Sequence, residues 1–195
     1  VETVESLKLF PLSYHSQRLV VLEQVSACYG NPPIPVSEPV TMEIRNGDRI
    51  CLRGKNGCGK SSLFRLILGE QTEAAGKIWR GSGLKISYVS QDTSHLRGSL
   101  REYARAFQVE EHLICALLRK LDFSREQLEK PLEALSQGQK KKVLIARSLC
   151  EQAHLYLWDE PLNYVDVYSR IQIEELILKF QPTMVFVCLL YTSPS

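Results

Sequence analysis

The sequence predicts a single mixed α/β domain with a mostly parallel sheet, an antiparallel β hairpin region and a helical subdomain. Strand-like and helix-like stretches alternate over residues 139–187, as is typical of parallel sheets whose strands are joined by helices. A glycine-rich loop at residues 54–61 separates a predicted strand from a predicted helix. Residues 100–128 contain good helix formers and no strand pattern, so we place the helical subdomain at about 95–138.

Apolar spacing and turn residues define the individual elements. Residues 18–29 predict a strand that Gly30 and the following prolines end. Residues 40–52 alternate apolar and polar side chains around the turn dipeptide Asn46-Gly47, and we interpret them as a hairpin that leads into the glycine-rich loop. The other predictions are a helix that begins after Lys60 and ends at Gly69, strands near 84–88, 155–158 and 183–187, and helices at 139–149 and through 173–180.

Composition excludes several classes of protein. The chain has 195 residues, 44% of them apolar and 24% charged, which suits one globular domain. A net charge of +2 provides no strong attraction to nucleic acid or anionic membranes. There is no apolar run of membrane-spanning length, no secretory signal and no C-x-x-C pair among the six cysteines. We therefore expect a cytoplasmic protein with reduced thiols and no direct membrane insertion.

The motif G-K-N-G-C-G-K-S at residues 54–61, called the phosphate loop below, points to nucleotide binding. Its glycines allow backbone N–H groups to wrap closely around phosphate oxygens. The Lys60 ammonium would face the outer phosphates, and the Ser61 hydroxyl would bind Mg²⁺. ATP and Mg²⁺ are the cofactors that this pattern implies. The expected nucleotide-binding residues of this segment are Gly54, Asn56, Gly57, Gly59, Lys60, Ser61 and Ser62.

Two adjacent carboxylates end the apolar strand L-Y-L-W. Asp159 and Glu160 would lie at the mouth of a parallel sheet, where phosphate-loop enzymes hold their metal ion. Adjacent strand residues point in opposite directions, so the two acids need not share a role. We expect Asp159 to hold Mg²⁺ and Glu160 to act as the general base for the attacking water. A solvated strand end is the ordinary alternative.

The segment L-S-Q-G-Q at residues 135–139, called the signature below, begins another predicted helix. Ser136 can cap that helix, and Gly138 permits close approach of another backbone, so this helix start is a second candidate anion site. Three lysines follow at 140–142. They could contact a nucleic-acid backbone, but we favour a solvated helix face for them.

These three segments, in this order, resemble the ATP-binding cassette (ABC) superfamily of nucleotide-binding domains, over roughly residues 19–187. The resemblance implies that Tyr29 stacks on adenine and that Gln91 contacts both Mg²⁺ and the attacking water. An ordinary strand-end tyrosine and a polar loop residue are the alternatives. The resemblance also implies a second cassette as partner, because the signature acts in trans on a nucleotide held by the opposite domain. The residues concerned are Ser136, Gln137, Gly138 and Gln139.

The N-Y-V-D segment at residues 163–166 is similar to the soluble ABC-F proteins, and most of all to the second cassette of their ribosome-protection branch. That likeness implies an ATPase that acts at the ribosome and confers antibiotic resistance, with residues 1–18 as the remnant of an inter-domain linker. The ATPase subunit of an ABC membrane transporter is the alternative, because it shares every phosphate-handling residue. A third possibility is a nucleotide-gated clamp, in which ATP holds two cassettes together.

The resemblance ends abruptly near the C-terminus. After the strand T-M-V-F-V, the family pattern has an acidic residue, a switch histidine that senses the γ-phosphate, and an aspartate. This chain has Cys188-Leu189-Leu190 there, so we interpret residues 188–195 as an aberrant or truncated tail. The expected consequence is ATP binding without efficient hydrolysis.

Overall fold

The structure is a computed structural model that describes residues 7–35, 38–54, 59–70 and 74–189. A short 3₁₀ turn at Leu132–Ala134 precedes the longest helices. The helices and strands are, in chain order, β1 (Arg18–Tyr29), β2 (Ile34–Pro35), β3 (Val40–Arg45), β4 (Arg49–Gly54), α1 (Lys60–Leu68), β5 (Ala74–Arg80), β6 (Ile86–Val89), α2 (Leu100–Ala106), α3 (Glu111–Lys120), α4 (Arg125–Glu129), α5 (Gln137–Cys150), β7 (Leu155–Asp159), α6 (Val167–Phe180) and β8 (Met184–Leu189).

The strands form two sheets. One is wholly parallel, in the order β4-β8-β7-β6. The other is antiparallel, with β1 at its centre between β3 and β5 and with β2 paired to the end of β1. The described residues thus confirm a mixed α/β fold with a parallel sheet, an antiparallel region and a helical region.

The parallel sheet separates two apolar cores. On one face, Leu155 and Leu157 of β7 join a core that includes Phe64 of α1 and Leu22 of β1, so that α1 is enclosed between the two sheets. On the other face, Tyr156 and Trp158 of β7 pack with α2, α3, α5 and α6. All five residues of β7 are buried because both faces of the sheet are covered. The central strands are therefore rigid supports for whatever lies at their ends.

The hairpin predicted for residues 40–52 is wrong. β3 pairs with β1 in the antiparallel sheet, whereas β4 pairs with β8 in the parallel sheet. The Asn46-Gly47 turn connects the two sheets. The Gly47 amide donates to the Oγ1 atom of Thr183, the residue just before β8, at 2.8 Å. Ile44 of β3 is buried in the core between the two sheets, and Leu52 of β4 packs against the same core from the parallel sheet, so the two strands lie on opposite sides of it.

The predicted helices and the predicted strands are present. Gly69 ends α1 with φ 82°, and α2, α3 and α4 lie within the range predicted for the helical subdomain. Strand β5 is an element that the sequence pattern did not indicate. In the described part of the chain, no helix is both long enough and apolar enough to cross a membrane.

Part of the segment that we interpreted as a linker packs on the domain. Leu9 is buried with the helical core, and the Leu12 amide donates to the Ala153 carbonyl at 2.8 Å. Tyr14 is buried, and its hydroxyl donates to the Ser82 carbonyl at 2.5 Å. The bounds of the linker, of the cassette and of the helical subdomain stay predictions.

Candidate functional site

The candidate site lies where β4, β6 and β7 end, at one edge of the parallel sheet. The backbone of Gly54 ends β4, and Gly59 then caps α1 with φ 78°, a left-handed conformation that favours glycine. Gly59 provides no side-chain cap, so the first amides of α1 remain available to an anion. Asn56 and Gly57 lie outside the described residues.

A short hydrogen bond connects the start of α1 to the end of β7. The Ser61 hydroxyl donates to Asp159 Oδ2 at 2.5 Å, and the Asp159 side chain is almost completely buried. These two oxygen groups belong to two of the three residues that the sequence predicted as Mg²⁺ ligands. Carboxylate and hydroxyl oxygens are the donors that this cation prefers. The structure therefore brings together two predicted ligands that are 98 residues apart.

Lys60 is the strongest sign that a ligand belongs here. Its ammonium nitrogen is buried and has no hydrogen-bond acceptor in the part of the chain that the structure describes. A buried cation without an acceptor is costly, since it has lost its hydration and gained no replacement. Phosphate oxygens would satisfy both its charge and its donors. The residues present thus fit a nucleoside polyphosphate.

Glu160 and Gln91 form a second pair beside the first. Gln91 Nε2 donates to Glu160 Oε2 at 2.9 Å. Burial and the neighbouring Asp159 carboxylate raise the pKa of Glu160, whereas the ammonium groups of Lys141 and Lys60 act in the opposite direction. A buried carboxylate with a raised pKa, bonded to an amide that can orient water, has the properties of a general base.

Tyr29 lies at the edge of this site. The residue is 44% exposed, and its hydroxyl shares a 3.0 Å hydrogen bond with Ser62 Oγ on the first turn of α1. An accessible aromatic face beside a phosphate-binding helix is suited to stacking on a base. The adenine role of Tyr29 stays a prediction.

The signature begins α5 as expected, with its side chains in a capping box. Ser136 Oγ accepts from the Gln139 amide at 3.2 Å, and Gln139 Oε1 accepts from the Ser136 amide at 2.9 Å. Gln137 accepts from the Thr93 hydroxyl at 2.9 Å. Ser136 and Gln137 are exposed, so this helix start is accessible to another molecule.

Gly138 has no room for a side chain. A Cβ atom there would lie 2.4 Å from the Tyr164 carbonyl oxygen. We expect Gly138→Ala to lower the free energy of unfolding by about 1–3 kcal/mol, because the helix start must move away from the backbone near Tyr164. Urea unfolding followed by far-UV circular dichroism measures this change. Lys140→Ala is the control, and equal stabilities of the two variants would contradict the expectation.

The interpretation of residues 140–142 as a solvated helix face is wrong for two of the three lysines. Lys141 is 2% exposed and Lys142 is 8% exposed. Lys142 Nζ lies 2.8 Å from Asp166 Oδ1, and its hydrogen bond lowers the pKa of Asp166 to about 2. Lys141 donates to main-chain carbonyls of the site. Helical spacing alone does not reveal these contacts, because the acceptors come from distant loops.

The fold and site together define a phosphate-loop nucleotide-binding domain of the cassette type. The phosphate loop follows β4, the carboxylates lie at the end of β7, and β8 lies between these two strands in the sheet. A sequence model of the ABC transporter family matches residues 37–163. The chain belongs to this family of ATPases, whose members bind ATP.

Curated relatives support this assignment. The ATP-binding protein Uup of Buchnera aphidicola is 33% identical over 153 residues, which are 74% of this chain and 26% of that protein. The ribosome protection protein VmlR of Bacillus subtilis is 27% identical over 175 residues, which are 88% of this chain and 31% of that protein. This chain therefore spans about a quarter to a third of the length of these relatives.

A solved structure shows the same fold. A bacterial Atm1-family ABC exporter with ATP bound superposes with a TM-score of 0.77 and 17% identity, over 93% of this chain and 36% of that chain.

Proposed function

We propose that this chain binds MgATP at the edge of its parallel sheet, as one half of a paired ATPase. The observation that carries the proposal is the buried Lys60 ammonium, which has no acceptor among the described residues and lies on the first turn of α1. Binding of the outer phosphates would supply the missing acceptors. The backbone amides of the phosphate loop, including those of Gly54, Asn56, Gly57 and Gly59, would surround the remaining phosphate oxygens.

The proposed metal ligands are Ser61, Asp159 and Gln91. The first two are already in contact, and Gln91 is bonded to Glu160 next to Asp159. When bound, Mg²⁺ would neutralise phosphate charge and polarise the bond to be cleaved. Glu160 would accept a proton from the attacking water, and its hydrogen bond to Gln91 would hold the carboxylate in a defined orientation.

A second cassette is the proposed partner. Ser136, Gln137 and the helix start at Gly138 face outwards, so they can bind the γ-phosphate of a nucleotide held by another domain. The adjacent surface is apolar, with large side chains exposed on Tyr164 and at the start of α6. Tyr164 and Val167 are 67% and 70% exposed. Such a surface beside a binding site is typical of an interface.

The proposed cellular role is that of an ABC-F protein acting on the ribosome in the cytoplasm, with antibiotic resistance as its result. The support is the N-Y-V-D segment at 163–166 and the likeness to a protein named as a ribosome protection protein. The alternative is a transporter ATPase, supported by the fold shared with an ABC exporter. A second cassette upstream in the same reading frame would favour the first, and a neighbouring gene for a membrane subunit would favour the second.

We expect this chain by itself to bind MgATP but to release phosphate no faster than background. The sequence has Cys188, Leu189 and Leu190 where the family places the switch histidine and its neighbours, and Leu190 lies outside the described residues. Without that histidine, and without a partner signature, the γ-phosphate and the water lack two of their contacts. Calorimetric titration measures binding, and release of radioactive phosphate measures turnover.

An intact Uup protein, assayed in parallel, is the positive control for turnover. Turnover by this chain at a rate comparable to the control would contradict the expectation. Absence of MgATP binding would contradict the proposed function itself.

A further inference from the structure

We propose that Lys141 is a positioning residue that holds Gln91 and Glu160 together and thereby sets the Mg²⁺ affinity of the site. The inference rests on the proposed function, since it assigns Lys141 a role in the MgATP site described above. It concerns a lysine that lies outside the phosphate loop, the signature and the carboxylate strand end.

The Lys141 side chain crosses from α5 to two separate loops. Its Nζ donates to the Gln91 carbonyl at 2.9 Å and to the Glu160 carbonyl at 3.3 Å. Gln91 and Glu160 are also joined directly, through the 2.9 Å bond between their side chains. The three residues form a closed ring of hydrogen bonds. Removing Lys141 would leave the Gln91–Glu160 side-chain bond as the remaining link of this ring.

Both contacts lie where the chain leaves the parallel sheet. The Glu160 amide still donates to the Val187 carbonyl of β8 at 3.2 Å, whereas the Glu160 carbonyl accepts from Lys141. Gln91 lies two residues beyond the end of β6, and Glu160 is the residue after β7. Glu160 has φ 49°, a left-handed conformation that costs a non-glycine residue about 1 kcal/mol or more. The surrounding contacts must maintain that conformation. The bond from Lys141 to the Glu160 carbonyl is one of them.

Charge explains why a lysine occupies this position. Desolvation lowers the pKa of Lys141, and the carboxylates of Asp159, Glu160 and Asp92 oppose that change. The ammonium therefore lies within the field of the acidic groups that would surround Mg²⁺. A neutral side chain of the same length would leave two carbonyls without their donor in a buried site.

Lys141 also connects the site to the signature. It lies one helical turn after Gln137 on α5. The side-chain oxygen of Gln137 accepts from the hydroxyl of Thr93 at 2.9 Å, and Thr93 is two residues after Gln91 in the chain. The loop at 91–93 is thus bonded twice to the first two turns of α5. A change in position of the signature helix would move Gln91 with it.

The test compares ATP binding with and without Mg²⁺ in Lys141→Met, which keeps an unbranched apolar side chain and removes the donors. We expect the dissociation constant for ATP in EDTA to remain within about two-fold of that of the original chain. The gain in ATP affinity on adding Mg²⁺ should fall by about 10-fold, as for other residues that orient metal ligands. A merely structural role would weaken both measurements equally. Lys140→Met is the matched control on the same turn.

Lys141→Gln is the second variant. Its shorter side chain keeps a donor but cannot span both carbonyls, so we expect this variant also to lose the gain in ATP affinity on adding Mg²⁺. Retention of the full gain by either folded variant would overturn the inference. Lys60→Met separates this from the proposed function. If Lys60→Met loses ATP binding while the Lys141 variants keep their Mg²⁺ gain, the inference fails and the proposed function stands.

Discussion

Replacing Lys60 with methionine is expected to weaken ATP binding by about 100-fold and, in the absence of nucleotide, to stabilise the protein. Each charge-assisted hydrogen bond from the ammonium to a phosphate contributes about 1.5–3 kcal/mol, so the loss of one strong bond accounts for a change of this size. In the nucleotide-free protein the same ammonium is buried and has no acceptor among the described residues. Methionine removes that charge while filling similar space.

The expected gain in the free energy of unfolding without ATP is about 1 kcal/mol, at the low end for an unsatisfied polar group. It is small because the Lys60 ammonium also attracts Glu160. Thermal unfolding with and without MgATP shows both effects in one experiment. Without nucleotide, Lys60→Met should unfold at a higher temperature than the original chain, and MgATP at about ten times the original dissociation constant should stabilise it far less than the original chain.

Lys77→Met is the control for this pair of measurements, because it removes the same charge from an exposed position on β5. Its ATP affinity and its response to MgATP should equal those of the original chain. A Lys60→Met variant that gains as much stability as the original chain at that MgATP concentration would contradict a phosphate contact at this residue.

Replacing Glu160 with glutamine in the proposed full-length parent with two cassettes, called the tandem protein below, is expected to slow hydrolysis by about 10²–10⁴-fold, the usual contribution of a general base. The glutamine amide oxygen can still accept from Gln91 Nε2, so the geometry of the pair remains. What is lost is the ability to accept a proton from water. ATP affinity should change by less than about three-fold, because the interaction affected belongs to the transition state.

Glu174→Gln, at an exposed position on α6, is the control and should hydrolyse ATP at the original rate. Sedimentation of the tandem protein with ribosomes adds a second measurement. If ATP is required to hold the cassettes together, Glu160→Gln should remain on ribosomes and keep its function, as a clamp would. Loss of function would instead identify an obligate ATPase, and an unchanged hydrolysis rate would contradict the role of Glu160 as the base.

Local patterns predicted the elements that carry the chemistry. The spacing of Leu63, Phe64 and Ile67 after Lys60 indicated α1, and Gly69 ends that helix as expected. The apolar run before Asp159 indicated a buried strand, and all of β7 is buried. These predictions succeeded because periodicity and end signals depend on neighbours within a few residues.

The predictions that failed involve partners far apart in the chain. Residues 40–45 and 49–54 have the alternation of a hairpin, but β3 pairs with β1 and β4 pairs with β8, which is more than 130 residues further along the chain. Lys142 has the sequence context of a solvated lysine and is buried against Asp166. A pattern within one helix does not show which loop will lie across it.

The sequence by itself determined that this chain is a nucleotide-binding domain of the ABC family: the phosphate loop, the signature and the carboxylate strand end identify it through short segments whose chemistry requires those residues at that spacing. Only the tertiary structure decided how the segments meet. It joins Ser61 to Asp159, leaves the Lys60 ammonium without an acceptor among the described residues, and uses Lys141 to connect two loops. The physical reason is that hydrogen bonds and buried charges depend on distances in space, which residue spacing along the chain does not specify.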